Sequence, residues 1–406
     1  MKKIYFKIFS IFLGLMLGYC CIFLTFVFTF DKHFVNTIKS KEKFEIIKKY
    51  TNVLNHIRGY DVETSDLVYS SINKYNLNNR NILFQGDSWY EQINFPANDF
   101  AKNYYNVYLK NNSPKNYKTL NFLREWTLQR NVGAINGGTG SYSPSLMSVQ
   151  LEVFENDFNI KPNFVIAYID QTDLGDENCR YKDNKIFKDK KLISVGNSKS
   201  LGRSIFNYNK LLKFSEINLS SNSKFYKVHE LMKFYLWFEA NKFFKINSYK
   251  ILRILDKGWS NRRISTCNLE EILNYLIKPT DEAIDYFKMS LEEYLLRASE
   301  KKHISKIYLV TAPHLEHLKT IYDGNGKFNL NISNVVDEVL KNTLIPKKDK
   351  IKHINFSKII TKDNKIFKYE DYIFDNIHLK QKPHKQFLEE TLKNIDNLRF
   401  IQRIKN

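Results

Sequence analysis

The sequence predicts an α/β fold: a parallel sheet flanked by helices, with a helical insertion and an N-terminal transmembrane helix. Short apolar segments alternate with longer segments of helical periodicity, a pattern typical of parallel sheets covered by helices. The chain has 406 residues, enough for one large hydrophobic core with elaborations. Its aromatic content of 15% argues against intrinsic disorder, because disordered chains are poor in Phe and Tyr.

The first thirty residues predict a membrane anchor. No charged residue occurs at 8–30, and a helix of this length can cross a hydrocarbon core about 30 Å thick. Lys2, Lys3 and Lys7 precede the apolar segment, and short flanking positive charge tends to stay in the cytoplasm. We therefore expect residues 1–31 to be a single-pass anchor in the cell membrane, with the rest of the chain on the extracytoplasmic side, periplasmic or extracellular.

A cleaved signal peptide is the alternative interpretation of this segment. Signal peptides usually have an apolar region of about 7–15 residues that ends in small residues, whereas this one ends in Phe-Thr-Phe at 28–30. The stretch Leu-Gly-Tyr-Cys at 17–20 loosely resembles a bacterial lipoprotein signal, but the Tyr fits poorly and the apolar residues continue past the Cys. Cellular fractionation distinguishes the two, since a cleaved chain would be soluble and shorter.

The cysteines leave one disulfide open as an option. Cys20 and Cys21 lie within the apolar segment, so Cys179 and Cys267 remain for the rest of the chain. An oxidising compartment would permit a bridge between them, but the sequence does not decide whether it forms. Two separated cysteines without nearby histidines do not make a zinc site.

The chain carries a formal net charge of +20, from 63 basic and 43 acidic residues. Such an excess is typical of proteins that bind nucleic acid, anionic lipid or acidic polysaccharide. Here it is mostly lysine spread along the chain, and no nucleic-acid recognition motif accompanies it. We therefore expect no nucleic-acid partner.

Beyond the anchor, the chain divides into a polar segment and a large domain. Residues 32–80 have a loose helical periodicity and predict a stalk and entry helix. The domain at 81–406 contains four apolar segments that predict buried strands, separated by helical segments. The predicted strands begin at Asn81, Phe164, Ile307 and Ile351, and the predicted helices are Pro144–Phe158, Asp281–Glu300 and about Gln386–Asn397.

A stretch from about 188 to 274 is long and rich in Lys, Phe and Tyr, which predicts a helical insertion. Its helix is expected around Tyr226–Leu255. An aromatic stripe within it fits a membrane surface or, more commonly, a packed core. The stripe comprises Leu231, Phe234, Tyr235, Phe238, Phe243 and Phe244.

A candidate nucleophile follows the first predicted strand of the domain. The motif Gly86-Asp87-Ser88-Trp89 places Ser88 at the carboxyl end of that strand, where ligands bind in open α/β sheets. A serine that opens a helix there offers its own backbone N–H to a developing oxyanion, aided by the partial positive charge of the helix. The tripeptide alone is weak evidence, because Gly-Asp-Ser often marks only a turn or a helix cap.

A candidate base lies near the other end of the chain, where Asp375 stands three residues before His378. A serine hydroxyl needs a base to take its proton, and a neutral imidazole is suited to this near pH 7. A carboxylate accepts a hydrogen bond from the other ring nitrogen and stabilises the imidazolium that forms. Asp-x-x-His alone is more often a surface helix pair, so its weight comes from its position between the last strand and the last helix.

With both ends in view, the chain resembles the SGNH/GDSL hydrolase family over roughly 81–397, with Gly-Asp-Ser in the first block and Asp-x-x-His in the last. The resemblance implies a flavodoxin-like three-layer sandwich and a catalytic triad of Ser88, Asp375 and His378. It also implies an oxyanion hole in which the Ser88 N–H is joined by donors from two middle blocks.

The middle blocks follow the family pattern less closely. In the Gly-rich stretch 136–140, Gly138 is the implied oxyanion donor, and Gly140 is the second choice. Residues 170–173 read Asp-Gln-Thr-Asp where the family usually has Gly-x-Asn-Asp, so Thr172 stands at the Asn position. The Thr172 hydroxyl or the Gln171 amide can donate in its place. The loss of one oxyanion donor costs about a hundredfold to a thousandfold in rate, so this departure puts activity more in doubt than fold.

A histidine-rich segment follows the third predicted strand. His314 and His317, with Glu316 between them, suggest a metal site, but no further ligand cluster accompanies them and a Ser/His/Asp triad needs no metal. We expect no metal and no cofactor, and we interpret both histidines as pocket residues. The other residues expected to line the pocket are Asp87, Trp89, Gly140 and Asp173.

The resemblance implies ester chemistry in which Ser88 attacks an acyl carbonyl and His378 moves the proton. Water would resolve the acyl-enzyme in an esterase, and a sugar hydroxyl would do so in an O-acyltransferase. An anchored, outward-facing domain resembles family members that act on acyl esters, in particular acetyl esters, of envelope glycans. The expected partners are therefore an acylated carbohydrate or small ester and the membrane, while the oligomeric state is not predicted. The alternative is a non-catalytic protein that binds glycan or takes part in envelope assembly.

Overall fold

A six-stranded sheet forms the centre of the structure, which is a computed structural model. The described residues are 2–35, 69–74, 80–94, 118–195, 217–236, 267, 274–342, 345, 347–373 and 376–396. The strands of the sheet are β1 (Ser70–Asn73), β2 (Asn81–Gln85), β3 (Gly133–Asn136), β4 (Phe164–Tyr168), β7 (Lys306–Thr311) and β8 (Ile351–Asn355), and a separate hairpin consists of β5 (Lys185–Lys188) and β6 (Lys191–Val195).

The strand order is β1-β3-β2-β4-β7-β8, and all neighbours are parallel except β1 and β3. The five parallel strands follow the flavodoxin-like order, in which ligands bind at the carboxyl ends of the strands where the order reverses. In this sheet that point lies between β2 and β4. The predicted parallel α/β sheet is confirmed. The antiparallel edge strand was not predicted, because Ile72 is the one buried residue of β1 and its pattern is too short to read.

Helices connect the strands and cover the sheet. Two of them, Pro144–Phe158 and Asp281–Glu300, begin and end where the sequence predicts. The last, α11, begins at Gln381 rather than near Gln386, because Pro383 falls in its first turn, where proline is tolerated. The helices are α1 (Lys2–Phe28), α2 (Ser88–Glu91), α3 (Lys118–Leu128), α4 (Pro144–Phe158), α5 (Asp173–Asp176), α6 (224–236), α7 (Asp281–Glu300), α8 (Leu315–Asp323), α9 (Ile332–Asn342), α10 (Phe356–Ile359) and α11 (Gln381–Asp396).

Side chains of β2 alternate between two layers of helices. Phe84 packs in one core with Leu123 of α3 and Phe387 of α11. Gln85 points to the opposite face, where its Nε2 donates to the Met147 carbonyl of α4 (2.8 Å) and its Oε1 accepts from the Tyr294 hydroxyl of α7 (2.9 Å). This fully buried amide is tolerated because both its ends are hydrogen-bonded. The sheet is thus the middle layer of three.

A disulfide joins Cys179 and Cys267, whose Cα atoms lie 5.2 Å apart. Cys179 is buried just after α5, and the bridge closes a loop that contains most of the predicted insertion, from about 188 to 267. The other two cysteines, Cys20 and Cys21, are exposed on α1. The structure therefore decides a pairing that the sequence left open, and such a bridge persists in an oxidising compartment.

The chain divides into two compact units. One comprises Met1–Lys49 and Ser200–Ser260, and the other, which holds the sheet, comprises Tyr50–Lys199 and Asn261–Asn406. Within the first, Ile4–Phe28 is long and apolar enough to cross a membrane. Most of the predicted stalk, at 36–68, lies outside the described residues.

The described part of the insertion is mainly helix α6, which packs against α1. Leu231 is buried against Phe30, just after α1, with Phe23 and Phe26 of α1 packed against the same cluster, and Phe234 is buried against Ile217. These two members of the predicted aromatic stripe are therefore core residues. Tyr235 is partly buried against Phe234 and Ile217, and the other stripe positions, Phe238, Phe243 and Phe244, lie outside the described residues.

Candidate active site

The turn after β2 holds Ser88 at the carboxyl edge of the sheet. Gly86 has a φ of +153°, and a Cβ on it would lie 2.8 Å from the Tyr168 carbonyl oxygen of β4, so only glycine fits. Asp87 then caps the next turn, because its Oδ1 accepts the Trp89 N–H at 2.9 Å. Ser88 opens α2 with a half-buried side chain. Since α2 is a single turn, its dipole is weaker than the sequence suggests.

Ser88 and His378 meet although 290 positions separate them: the Ser88 Oγ lies 2.6 Å from the His378 Nε2. His378 lies on a tight loop closed by the pairing of Tyr372 with Leu379 and by a hydrogen bond from the Ile373 N–H to the His378 carbonyl (2.9 Å). Asn376 turns this loop with a φ of +60°, which asparagine tolerates better than most residues. Asp375, the predicted acid, lies outside the described residues.

Two further hydrogen bonds fasten α2 to the segment that carries His378. The Gln92 Nε2 donates to the Leu379 carbonyl at 2.5 Å, and the His384 Nε2 of α11 donates to the Trp89 carbonyl at 2.8 Å. Trp89 itself is fully buried and stacks on Tyr168, with ring centroids 4.9 Å apart. This packing holds α2 against strand β4. Gln92 and His384 were not predicted, and no motif marks either of them.

The Gly-rich loop packs directly on α2. The Gly138 N–H donates to the Asn136 Oδ1 and the Gly140 N–H donates to the Glu91 Oε2, both at 2.9 Å. A Cβ on Gly138 would lie 2.4 Å from the Tyr90 Cβ, so this glycine is needed for close packing. The N–H groups of both glycines are thus engaged within the protein. Asn136, at the end of β3, was not predicted, although an Asn just before a Gly run at a strand end is a signal that could have identified it.

In the second of the middle blocks, residues 170–173, the hydrogen bonds converge on Asp170. The Thr172 hydroxyl donates to the Asp170 Oδ2 at 3.0 Å, and the Gln171 N–H donates to the Asp170 Oδ1 at 2.6 Å. The Gln171 Oε1 accepts the Ile332 N–H of α9 at 2.9 Å, while its buried Nε2 meets no acceptor within the described chain. Of the predicted oxyanion donors, the Ser88 N–H and the Gln171 Nε2 are the two that have no acceptor among the described residues.

A buried acidic cluster lies behind the nucleophile. The carboxyl groups of Asp87 and Asp170 share a hydrogen bond. Burial, and then the charges of Asp170 and Asp173, raise the pKa of Asp87 well above its usual value, so Asp87 donates the proton. Burial alone would also raise the pKa of Asp170. The His314 Nε2 lies 2.5 Å from the Asp170 Oδ1, however, and this contact holds the pKa of Asp170 below its usual value. Asp170 is thus the ionised centre of the cluster.

Asp173 and His317 are buried, and each is hydrogen-bonded to a backbone group of the protein. The Asp173 Oδ2 accepts the Asp170 N–H at 3.0 Å, and burial and the Asp170 charge raise the pKa of Asp173 well above its usual value. The His317 Nε2 donates to the Leu330 carbonyl at 3.0 Å, and burial lowers the pKa of His317 to about 4. No group of three or more His, Cys, Asp or Glu residues that could hold a metal occurs among the residues described.

His384 affects stability in two ways that can be tested separately: through its hydrogen bond to the Trp89 carbonyl and through the protonation of its ring. Burial lowers the pKa of His384 to about 4, from 6.5. Between these values the unfolded chain binds a proton that the folded chain does not, so His384 makes stability fall as the pH drops from 6.5 to 4, by about 3 kcal/mol in all. His384→Gln keeps a donor for the Trp89 carbonyl and should reduce this acid sensitivity. His384→Leu leaves the carbonyl unpaired and should lower stability by about 1–3 kcal/mol at neutral pH.

Thermal and denaturant unfolding of the full-length protein in detergent, at pH 7 and pH 5, measures both effects. If His384 fixes the geometry of Ser88, kcat should fall about tenfold to a hundredfold in the Leu variant and stay near wild type in the Gln variant. Equal kcat values in the two variants would contradict this positioning role.

No protein-family model matches the chain, and no curated protein matches it significantly. A mutant of Axe2, an acetyl-xylooligosaccharide esterase from Geobacillus Stearmophilus, is similar in structure with a TM-score of 0.37 and 11% identity over 78% of this chain and 94% of that one. LAE5, an alpha/beta hydrolase enzyme from the metagenome of Lake Arreo, Spain, gives a TM-score of 0.36 and 9% identity over 80% and 98%. TM-scores below 0.5 do not establish a function for this chain.

Proposed function

We propose that the chain is a membrane-anchored serine esterase or O-acyltransferase that acts on acyl esters, in particular acetyl esters, of an extracytoplasmic glycan or related envelope substrate. The observation that carries this proposal is the 2.6 Å contact between the Ser88 Oγ and the His378 Nε2 at the reversal point of the sheet. A hydroxyl and an imidazole at this distance are within reach of direct proton transfer.

In the proposed mechanism, the His378 Nε2 accepts the Ser88 proton while the Ser88 Oγ attacks the acyl carbonyl carbon. Because Nε2 faces the hydroxyl, Nδ1 carries the ring proton, and Asp375 is the acid that we propose to accept it. The tetrahedral intermediate collapses when the imidazolium returns the proton to the departing alkoxide. Water or an acceptor hydroxyl, activated by the same imidazole, then cleaves the acyl-Ser88 ester and frees the serine.

The oxyanion hole that we propose begins with the Ser88 N–H. Gly138 can add a donor only if its N–H leaves the Asn136 Oδ1, and Thr172 only if its hydroxyl turns away from Asp170. We therefore expect a hole with fewer donors than the family pattern has, and a correspondingly lower rate.

Two observations support an extracytoplasmic location. Ile4–Phe28 is long enough and apolar enough to cross a membrane; Lys2 and Lys3 precede it and Lys7 lies in its first turn. The Cys179–Cys267 disulfide is typical of proteins in oxidising compartments. An anchored hydrolase outside the cytoplasm would meet envelope glycans, which is why we propose them as the substrate class.

A fluorophosphonate probe tests the nucleophile directly. We expect it to label the full-length protein in membranes and the labelled peptide to contain Ser88. His378→Gln should reduce the labelling rate strongly, because the serine then lacks its base. Acetate release from an O-acetylated polysaccharide, with and without a sugar acceptor, would then separate hydrolysis from transfer.

A non-catalytic envelope protein is the second candidate, and the engaged N–H groups of Gly138 and Gly140 favour it. Such a protein would bind the O-acetylated polysaccharide without releasing acetate. It would also leave Ser88 unlabelled, or label it at the same slow rate with and without His378. Either result would favour binding over catalysis.

A further inference from the structure

Helix α6 crosses the N-terminal helix α1 instead of running beside it. The Phe225 ring lies 6.3 Å from the Phe23 ring, and the Tyr235 ring lies 5.5 Å from the Phe26 ring. Ten residues of helix cover about 15 Å, whereas three residues cover about 4.5 Å. Because contacts so far apart along α6 meet positions so close together on α1, the two helices cross at a steep angle.

The two flanks of α6 face different parts of α1. On one flank, the His229 Nδ1 lies 2.7 Å from the Tyr19 hydroxyl, well inside the apolar segment. On the other flank, Lys224 lies over the Phe30 ring and Lys227 over the Phe34 ring, with their Nζ atoms 5.3 and 5.2 Å from the ring centroids. These two phenylalanines come after Phe28, the last residue of the membrane-length helix Ile4–Phe28, and Phe30 is also the last residue of the uncharged stretch 8–30.

The flank that faces the apolar segment carries exposed apolar side chains. Phe225 is 66% exposed and Leu236 is 41% exposed. Together with His229 they occupy positions i, i+4 and i+11 of α6, which lie on one face of a helix. Lys233, at i+8, lies at the margin of this face, and its Nζ pairs with the Glu230 Oε1 at 2.6 Å. Val228 and Leu231, on another face, are fully buried and hold α6 to α1.

We infer that α6 lies in the plane of the membrane interface, with Phe225 and Leu236 among the outer ends of the acyl chains and Lys224 and Lys227 at the level of the lipid headgroups. A helix crossing a spanning helix steeply runs parallel to the membrane surface. An apolar flank toward the span and a basic flank away from it is the arrangement of interfacial amphipathic helices. Lysine stems can cover apolar rings while the ammonium groups stay among the headgroups.

This inference rests on the proposed membrane anchor, and it adds a second membrane contact supplied by the insertion. It also gives α1 a lasting partner within the folded chain, which a cleaved signal peptide would not have. The lipid bilayer is the occupant that we assign to the exposed flank, because that flank continues the apolar surface of Ile4–Phe28.

Depth-dependent fluorescence quenching tests the inference on the full-length protein. Cys20 and Cys21 are replaced by serine, and Phe225→Cys, Leu236→Cys and Lys224→Cys are each labelled with an NBD fluorophore in lipid vesicles. Met289→Cys is the matched control, because Met289 is a similarly exposed large side chain (65%) for which no membrane contact is inferred. Acyl-chain spin labels should quench positions 225 and 236 strongly, headgroup spin labels should quench position 224, and neither should quench position 289.

Equal, weak quenching at positions 225, 236 and 289 would overturn the interfacial placement. Alkaline carbonate extraction of the unlabelled wild-type protein shows which proposal has failed. If the protein stays in the membrane while position 225 is unquenched, the placement of α6 alone is wrong. If the protein is released at its full length or shortened, the anchor is wrong and the placement of α6 falls with it.

Discussion

Replacing Ser88 by alanine should lower the turnover of an activated acetate ester by at least about ten-thousandfold, because the residue that forms the acyl-enzyme is lost. The fold should persist. Ser88 is half-buried, and its described side-chain contact is the single hydrogen bond to His378, so the free energy of unfolding should fall by about 1 kcal/mol or less. Steady-state hydrolysis of p-nitrophenyl acetate and a thermal melt of the same sample measure the two quantities.

Ser148→Ala is the matched serine control. The Ser148 hydroxyl is buried in α4 and has no partner among the described residues, so its removal should leave both turnover and stability nearly unchanged. The double variant of Ser88→Ala and His378→Ala should be no slower than Ser88→Ala alone, because the imidazole has no role without the hydroxyl. Activity that survives in Ser88→Ala would show that the ester is cleaved elsewhere, and multiplicative losses in the double variant would show that the two residues do not act as a unit.

Gly138→Ala should damage stability and activity together. The added methyl would lie 2.4 Å from the Tyr90 Cβ and 2.7 Å from the Glu91 backbone nitrogen, so the loop or α2 has to move. Overpacking of this kind costs about 1–3 kcal/mol. Since α2 begins with Ser88, a displacement of about 1 Å would lower kcat by about a hundredfold. Denaturant unfolding and ester turnover of the purified variant test both expectations.

Gly175→Ala is the control for this glycine. A Cβ on Gly175 would lie 3.6 Å from the Tyr275 Cβ, which is ordinary van der Waals contact, and Gly175 lies in helix α5, where alanine is preferred. Its stability should be unchanged or slightly higher, and its turnover should be close to wild type. If the two variants lost activity equally, close packing of Gly138 on α2 would not explain the effect.

The parallel strands were predictable because buried strands leave a local pattern. β2, β4 and β7 are apolar runs that end at Gly, Asp or Pro, and their positions follow from composition alone. Strand β3 was missed because it has four residues and runs into the Gly-rich loop. The separate β5–β6 hairpin was missed because its residues are mostly exposed and lysine-rich, so its pattern resembles a loop.

The candidate site was predictable only in part. Ser88 and His378 stand in motifs with a known chemical logic, and the structure brings their reacting atoms together, whereas Asp375 stays a prediction because it lies outside the described residues. Gln92 and His384 stand in no motif, since each acts through a backbone carbonyl of a distant segment and any donor of suitable reach would serve. Residues of this kind become visible only once the chain is folded.

The sequence by itself determined the class of fold, the order of its main strands and helices, the apolar N-terminal segment and the two ends of the candidate site. These features rest on local periodicity and on short spacings. Tertiary structure alone decided the disulfide, the crossing of α6 over α1, and the use of the Gly138 and Thr172 donors within the protein. The physical reason is that a hydrogen bond or a packing contact depends on distances of a few ångströms between segments that the sequence separates by tens or hundreds of residues.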